Sequence, residues 1–233
     1  MKNSIAIIFT LFLLNFSFGQ NNKDSNQLYV INMLGAKVYE KPTFNSKTLT
    51  ELSIGKTVVI EQSIDTQERL YMGNGFSLKG HWIKPIGING FVFSSDLTDK
   101  KAEIGKSKHG YTFINLLGSL KEKKEDKETI KTDQGDFPKF FEYKYYENGN
   151  YTYTSWDGCF DHVTEYKNLS LNEVYHQMVS DYGMMMNGDE FQVPMFKEKA
   201  GNTIKFEGEG ATQDLQIEIK ENGTIVVSSY DCT

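Results

Sequence analysis

Residues 80–97 read Gly80-His81-Trp82-Ile83-Lys84-Pro85-Ile86-Gly87-Ile88-Asn89-Gly90-Phe91-Val92-Phe93-Ser94-Ser95-Asp96-Leu97. The run predicts two short strands, Trp82–Ile86 and Gly90–Phe93, joined by a turn of glycine and asparagine, residues that tolerate positive φ. The same texture extends upstream. Leu28–Met33, Ala36–Tyr39, Leu49–Leu52 and Lys56–Gln62 are short β-branched or aromatic runs separated by turn residues, and Thr57-Val58-Val59-Ile60 is the strongest of them. Short strands repeated over Leu28–Leu97 predict a small all-β barrel.

Several of these positions resemble the bacterial SH3-like (SH3b) family. Val38 and Pro42 match its first strand and the turn after it, and Leu52, Gly55 and Val58-Val59-Ile60 match its central strand. Trp82, Gly90, Val92 and Leu97 match its closing hairpin. Tyr39 and Lys41 stand where arginine and glycine are usual, Phe91 stands where tryptophan is usual, and Ile64–Lys79 is longer than the family needs. The resemblance implies an SH3b-like barrel over residues 28–99 that binds rather than catalyses. The expected ligand is a cell-wall peptide or glycan, or a protein partner. The aromatic residues near the loops, Tyr39, Tyr71, Trp82 and Phe91, are the expected contacts.

The amino terminus reads as a secretory signal peptide over residues 1–19. Lys2 gives the positive start, Ile5–Leu14 the apolar core and Ser17-Phe18-Gly19 the small residues before a cut. The apolar run is shorter than the ~20 residues that span a bilayer, so no stable membrane insertion is expected after cleavage, and a periplasmic or secreted location follows. Cleavage removes Lys2 and no acid, which takes the formal charge from −6 to −7. An acidic chain whose only arginine is Arg69 is a poor nucleic-acid binder, because that function leans on a basic face and arginine forks.

The two cysteines, Cys159 and Cys232, fit export as a disulfide, with free thiols as the alternative. Two segments share a pattern. Phe141–Tyr146, Glu147-Asn148-Gly149 and Tyr151–Cys159 parallel Leu215–Lys220, Glu221-Asn222-Gly223 and Ile225–Cys232. Each reads as an Asn-Gly hairpin whose second strand ends on a cysteine, and side-by-side hairpins bring the cysteines together. Between them, Ser170 and Glu173 form a capping box and Gly183 a stop. Leu171, Val174, Tyr175, Met178, Val179 and Tyr182 form the buried stripe of this helix. The fold class is mainly β: the barrel, a linker over 100–108, and an α+β domain over 109–233 with one helix on an antiparallel sheet. The mixed-charge run Lys121–Glu128 has no apolar face and predicts a solvated, mobile loop near 119–136, with a helix surface as the alternative.

No catalytic residue, cofactor or metal is expected. Cys159 lacks a histidine at the spacing that the wall-cutting cysteine peptidases use. Asp157, Asp161, His162 and Glu165 lack a metal-binding spacing and read as a solvated loop. Tyr143, Tyr145, Tyr151 and Tyr153 alternate on paired strands, which predicts one tyrosine-rich face, for packing or for a glycan or peptide. The sequence is thus that of an exported, non-catalytic binding protein of the bacterial envelope. A hydrolase, or a hydrolase accessory, targeted by the SH3b domain is one alternative, and an interaction or inhibitor protein is another.

Overall fold

The alternating runs build antiparallel sheets almost throughout. The computed structural model describes residues 26–108, 110–133, 135–186, 190–208 and 212–232, so the expected signal peptide lies outside the described residues. In the first half the strands are β1 (Gln27–Val30), β2 (Ala36–Tyr39), β3 (Thr48–Leu52), β4 (Thr57–Ile64), β5 (Arg69–Gly73), β6 (Phe76–Lys79), β7 (Trp82–Pro85), β8 (Phe91–Phe93) and β9 (Leu97–Thr98). All but β5 and β6 form a seven-stranded sheet in the order β3-β2-β8-β7-β4-β1-β9. In the opening hairpin, Ile83 stands opposite Val92 and Trp82 opposite Phe93. Gly90, at φ 126°, lets β2 pass close: a Cβ there would lie 2.6 Å from the Tyr39 carbonyl oxygen.

The hairpin β10 (Glu103–Lys106) and β11 (Thr112–Asn115) follows. Next come β12 (Leu120–Thr132), β13 (Gly135–Tyr146), β14 (Gly149–Trp156), β15 (Cys159–Tyr166) and the helix α1 (Leu171–Tyr182). The short pair β16 (Met184–Met186) and β17 (Glu190–Gln192) precedes β18 (Met195–Ala200), β19 (Thr203–Glu207), β20 (Thr212–Ile219) and β21 (Ile225–Cys232). The large sheet runs β12-β13-β14-β15-β21-β20-β19-β18. The molecule is therefore mainly β, with antiparallel sheets and a single α-helix among the described residues.

Three sequence expectations change. The charged run is not a loop but the edge strand β12, paired with β13 from Leu120 opposite Tyr146 to Thr132 opposite Gly135. An edge strand needs no apolar face, and its charges discourage pairing with another chain. Lys123 bridges Glu125 at 2.7 Å and Glu142 at 2.6 Å, and the Lys127 ammonium lies 5.1 Å over Phe140.

The second change concerns Cys159, which opens β15 rather than closing β14. Asp157 and Gly158, at φ 49° and 76°, make the tight positive-φ turn between them. At Asn222-Gly223 only the glycine is left-handed, and at Asn148-Gly149 neither residue is. The solvated loop expected over Asp157–Glu165 is mostly β15 itself. The third change is the tyrosine face. Tyr143 opposes Thr152 while Tyr151 opposes Lys144, so Tyr143 and Tyr145 lie on one face of the sheet and Tyr151 and Tyr153 on the other.

The helix begins as its sequence requires. The Ser170 hydroxyl accepts from the Glu173 backbone N–H, and Glu173 Oε2 accepts from the Ser170 N–H at 2.7 Å. Val174, Tyr175, Met178 and Val179 are buried against Ile204, Phe206, Leu215, Ile217 and Val227 of the large sheet. The same core takes in residues of the first half. Phe76 and Leu78 of β6 are buried in it, and the Phe76 ring lies 5.8 Å from Tyr175 and 5.9 Å from both Phe196 and Phe206. The long stretch Ile64–Lys79 is thus largely a wedge driven into the second half. A separate core, which includes Val30, Val38, Val58, Ile83 and Val92, fills the first sheet.

Polar groups complete the junction. Glu173 accepts from Lys100 Nζ at 2.8 Å and from the Thr98 hydroxyl. Burial pushes its carboxyl up, but these bonds and those from Ser170 together hold it below the usual carboxylate range. His176 Nε2 donates to the Ser95 carbonyl at 3.0 Å and lies 3.6 Å from Asp96. Burial pushes the imidazole down to about 4, so it is neutral near pH 7 and the contact with Asp96 is not an ion pair. Burial pushes Asp96 up to about 6, against the Asn32 hydrogen bond and the Lys37 charge.

Two predictions follow from this junction. Phe76→Ala should cost about 3–5 kcal/mol and lower the melting temperature in a single transition, read by near-ultraviolet circular dichroism. Separate melting of the two halves would show that the wedge does not couple them. The second concerns acid. The depressed His176 pKa makes stability fall as pH drops from about 6.5 through 4. The raised Asp96 pKa makes stability rise as pH drops from about 6 toward the ordinary carboxylate value. These effects offset each other. Asp96→Asn removes the compensating one, so between pH 7 and 4 the variant should lose about 2 kcal/mol more than the parent, measured by urea unfolding.

Candidate functional site

The large sheet is wider than its helix, and the uncovered part of its inner face forms an open cleft of about 430 Å³ beside the carboxy-terminal end of α1. Register places the side chains of this inner face in rows, and Lys144, Tyr151, Thr164, His162 and Asp231 among them line the cleft. Lys144, Tyr151 and Thr164 form one row; Glu142, Tyr153, His162 and Ser229 form the next. Phe140, Ser155, Phe160 and Asp231 form the third.

A hydrogen-bond chain crosses these rows. Tyr151 Oη lies 2.8 Å from His162 Nδ1, and His162 Nε2 lies 3.2 Å from Asp231 Oδ2. The assignment that satisfies all three groups has the tyrosine hydroxyl donating to Nδ1 and Nε2–H donating to the carboxylate. Burial first, then the neighbouring Tyr182 and Glu142, push the Tyr151 hydroxyl well above its ordinary pKa. The phenol therefore stays protonated and serves as a donor, not as a nucleophile. Tyr153 stacks on Phe160 with centroids 5.9 Å apart and meets His162 at 5.2 Å.

The helix supplies the opposite wall. Gln177 is buried. Its amide donates to the Ile114 carbonyl, its oxygen accepts from the Leu116 N–H, and its amide also donates to Asp181 Oδ1 at 2.9 Å. Gln177 thus ties Asp181 to β11. Dense surroundings push the Asp181 carboxyl up, although the residue is exposed in the cleft and water tempers that push. The Tyr182 hydroxyl accepts from Ser229 Oγ at 3.1 Å and is pushed up to about 12, by burial first and then by Asp181 and Asp231 against the Ser229 bond.

The residues expected to bind ligand in the first half are distributed differently. Trp82 is fully buried and its indole N–H donates to Glu68 Oε2 at 2.6 Å, which makes it a core residue and corrects its assignment as a contact. Tyr39 is half-buried and meets Trp82 edge-on at 5.2 Å. Phe44, which the sequence did not single out, packs on Trp82, Tyr39 and Phe93. Phe91 is half-buried opposite Tyr39 in the β2–β8 ladder, and Tyr71, on β5, is 81% exposed.

Cys159 and Cys232 stand opposite each other where β15 meets β21, their Cα atoms 4.2 Å apart and their sulfurs at disulfide distance. Strand alternation splits the acidic cluster: Asp161 and Glu165 face outward and His162 inward. Among the described residues no group of three or more His, Cys, Asp or Glu side chains is placed to hold a metal ion, and no helix is long and apolar enough to cross a membrane.

No protein-family model, curated protein or solved structure matches this chain. The cleft went unnoticed in the sequence because its groups come from β13, β14, β15, α1 and β21. The nearest signal was the alternation Tyr151, Tyr153 followed by Phe160 and His162, which places four rings on one face once the Asp157-Gly158 turn is recognised.

The cross-strand bridge sits one residue from Asp231. Replacing both cysteines by serine should destabilise the protein by about 2–4 kcal/mol. It should also broaden the His162 imidazole signals in proton NMR, because β21 then frays beside the chain from Tyr151 to Asp231. Unchanged stability in an oxidised sample would show that the bridge does not form.

Proposed function

We propose that this protein is an exported, non-catalytic binding protein of the bacterial envelope, periplasmic or secreted. Residues 28–99 act as an SH3b-type docking module, and the second half carries the ligand cleft. The observation that carries this reading is the open inner face of the large sheet. There the rings of Tyr151 and His162 line the cleft with the hydrogen-bonding groups of Asp181, Tyr182 and Asp231, and Tyr153 and Phe160 continue the aromatic face next to His162. Flat rings beside fixed polar groups suit a cell-wall peptide or glycan, which offers both apolar faces and hydroxyl or amide groups.

Binding is favoured over hydrolysis by the state of the side chains. The hydroxyl that a His–Asp pair would activate, Tyr151, is held protonated, and Cys159 faces Cys232 at disulfide distance. The cysteine pair also suits an oxidising compartment, which supports export.

Retention of the purified protein on insoluble peptidoglycan tests the proposal. The parent protein should sediment with the wall, and the Tyr153→Ala/His162→Ala double variant, its fold checked by circular dichroism, should lose at least about tenfold in retention (~1.4 kcal/mol). Failure of the parent to sediment, or equal retention of the folded variant, would reject it.

A further inference from the structure

The charge inside the cleft narrows what it accepts. Among the described residues that line it, Lys144 is the only lysine or arginine. Its ammonium is held by Glu142 at 2.6 Å and lies 5.3 Å over the Tyr151 ring. Among the described residues, Asp181 receives the neutral amide of Gln177, at 2.9 Å, and no lysine or arginine. Asp231 faces His162, while its second oxygen, Oδ1, is buried without a hydrogen-bond partner among the described residues. Both carboxylates line the same cleft as the Tyr182 hydroxyl, which accepts from Ser229 two residues before Asp231. Aromatic rings attract cations through their negative faces, and Lys144 already occupies one such face in this wall. An anionic ligand would meet two carboxylates with no free cation among the described lining residues to receive it.

We propose that the cleft binds a primary ammonium group, held between Asp181 and Asp231 with its carbon stem along Tyr151 and Tyr182. This rests on the binding reading of the cleft and gives it a ligand chemistry. Two sources of such an ammonium are a peptide side chain and an unacetylated amino sugar. A charge-assisted hydrogen bond from the ammonium would engage each carboxylate, and such bonds are about twice as strong as neutral ones.

Isothermal titration calorimetry on the full exported chain tests this with four probes: a short lysine-containing peptide, the same peptide with its side-chain amine acetylated, a glucosamine tetramer and its N-acetylated counterpart. At least one amine-bearing probe should bind, and its acetylated form should bind at least about tenfold more weakly (~1.4 kcal/mol). Which amine probe binds identifies the source. Asp181→Asn and Asp231→Asn, each close in shape to the parent, should each weaken that probe about tenfold. Asp161→Asn, on the outer face, should leave it unchanged, and rising salt should weaken binding.

Equal binding of acetylated and free probes, or no effect of either cleft substitution, would overturn the ammonium assignment. If the protein still sediments with peptidoglycan in that case, the binding reading stands without it. If neither peptidoglycan nor any probe binds, both are overturned.

Discussion

The burial of Phe76 and Leu78 beneath α1 is the contact on which the rest of the architecture depends. These side chains belong by sequence to the first half, yet they fill the core between the helix and the large sheet. With them in place, α1 has a fixed height above the sheet, and Glu173 and His176 meet the chain at Ser95, Thr98 and Lys100. The approach is close. A Cβ on Gly73, at the base of the wedge, would fall 1.9 Å from the Phe196 ring, so glycine there allows β5 to lie against β18. Tilting the helix would move Gln177, Asp181 and Tyr182 together, and the cleft wall with them.

Local signals were legible in the sequence wherever a short segment decides its own structure. The Ser170–Glu173 capping box and the strand Ala36–Tyr39 fall where their residues put them. The capping box concealed a second role, since Glu173 also receives Lys100 and Thr98 from 73 and 75 residues away. Nothing in the window around residue 173 records those partners.

Where the sequence misled, the deciding information was non-local. Lys121–Glu128 has the composition of a solvated loop, but β13 beside it is rich in aromatic residues and templates an edge strand. The tyrosines of β13 and β14 separate because the turn pairs Tyr145 with Asn150 rather than with Tyr151. A shift of one residue in register exchanges the two faces of a strand, and composition does not fix that register. Trp82 matched an expected contact by type, but its ring is enclosed by Tyr39, Phe44 and Phe93.

The place of β21 in the large sheet governs the order of assembly. This strand follows every other strand in the chain, yet it lies between β15 and β20. The four strands β12–β15 can form as a meander of neighbours, and so can β18–β20, but the two blocks share no ladder until β21 slots between them. The sheet therefore closes from its middle, late, around contacts of high sequence separation, a topology that folds slowly. Until that step Thr164 and Val163 of β15 present an unpaired edge, which makes the half-built sheet the species most open to capture by another chain.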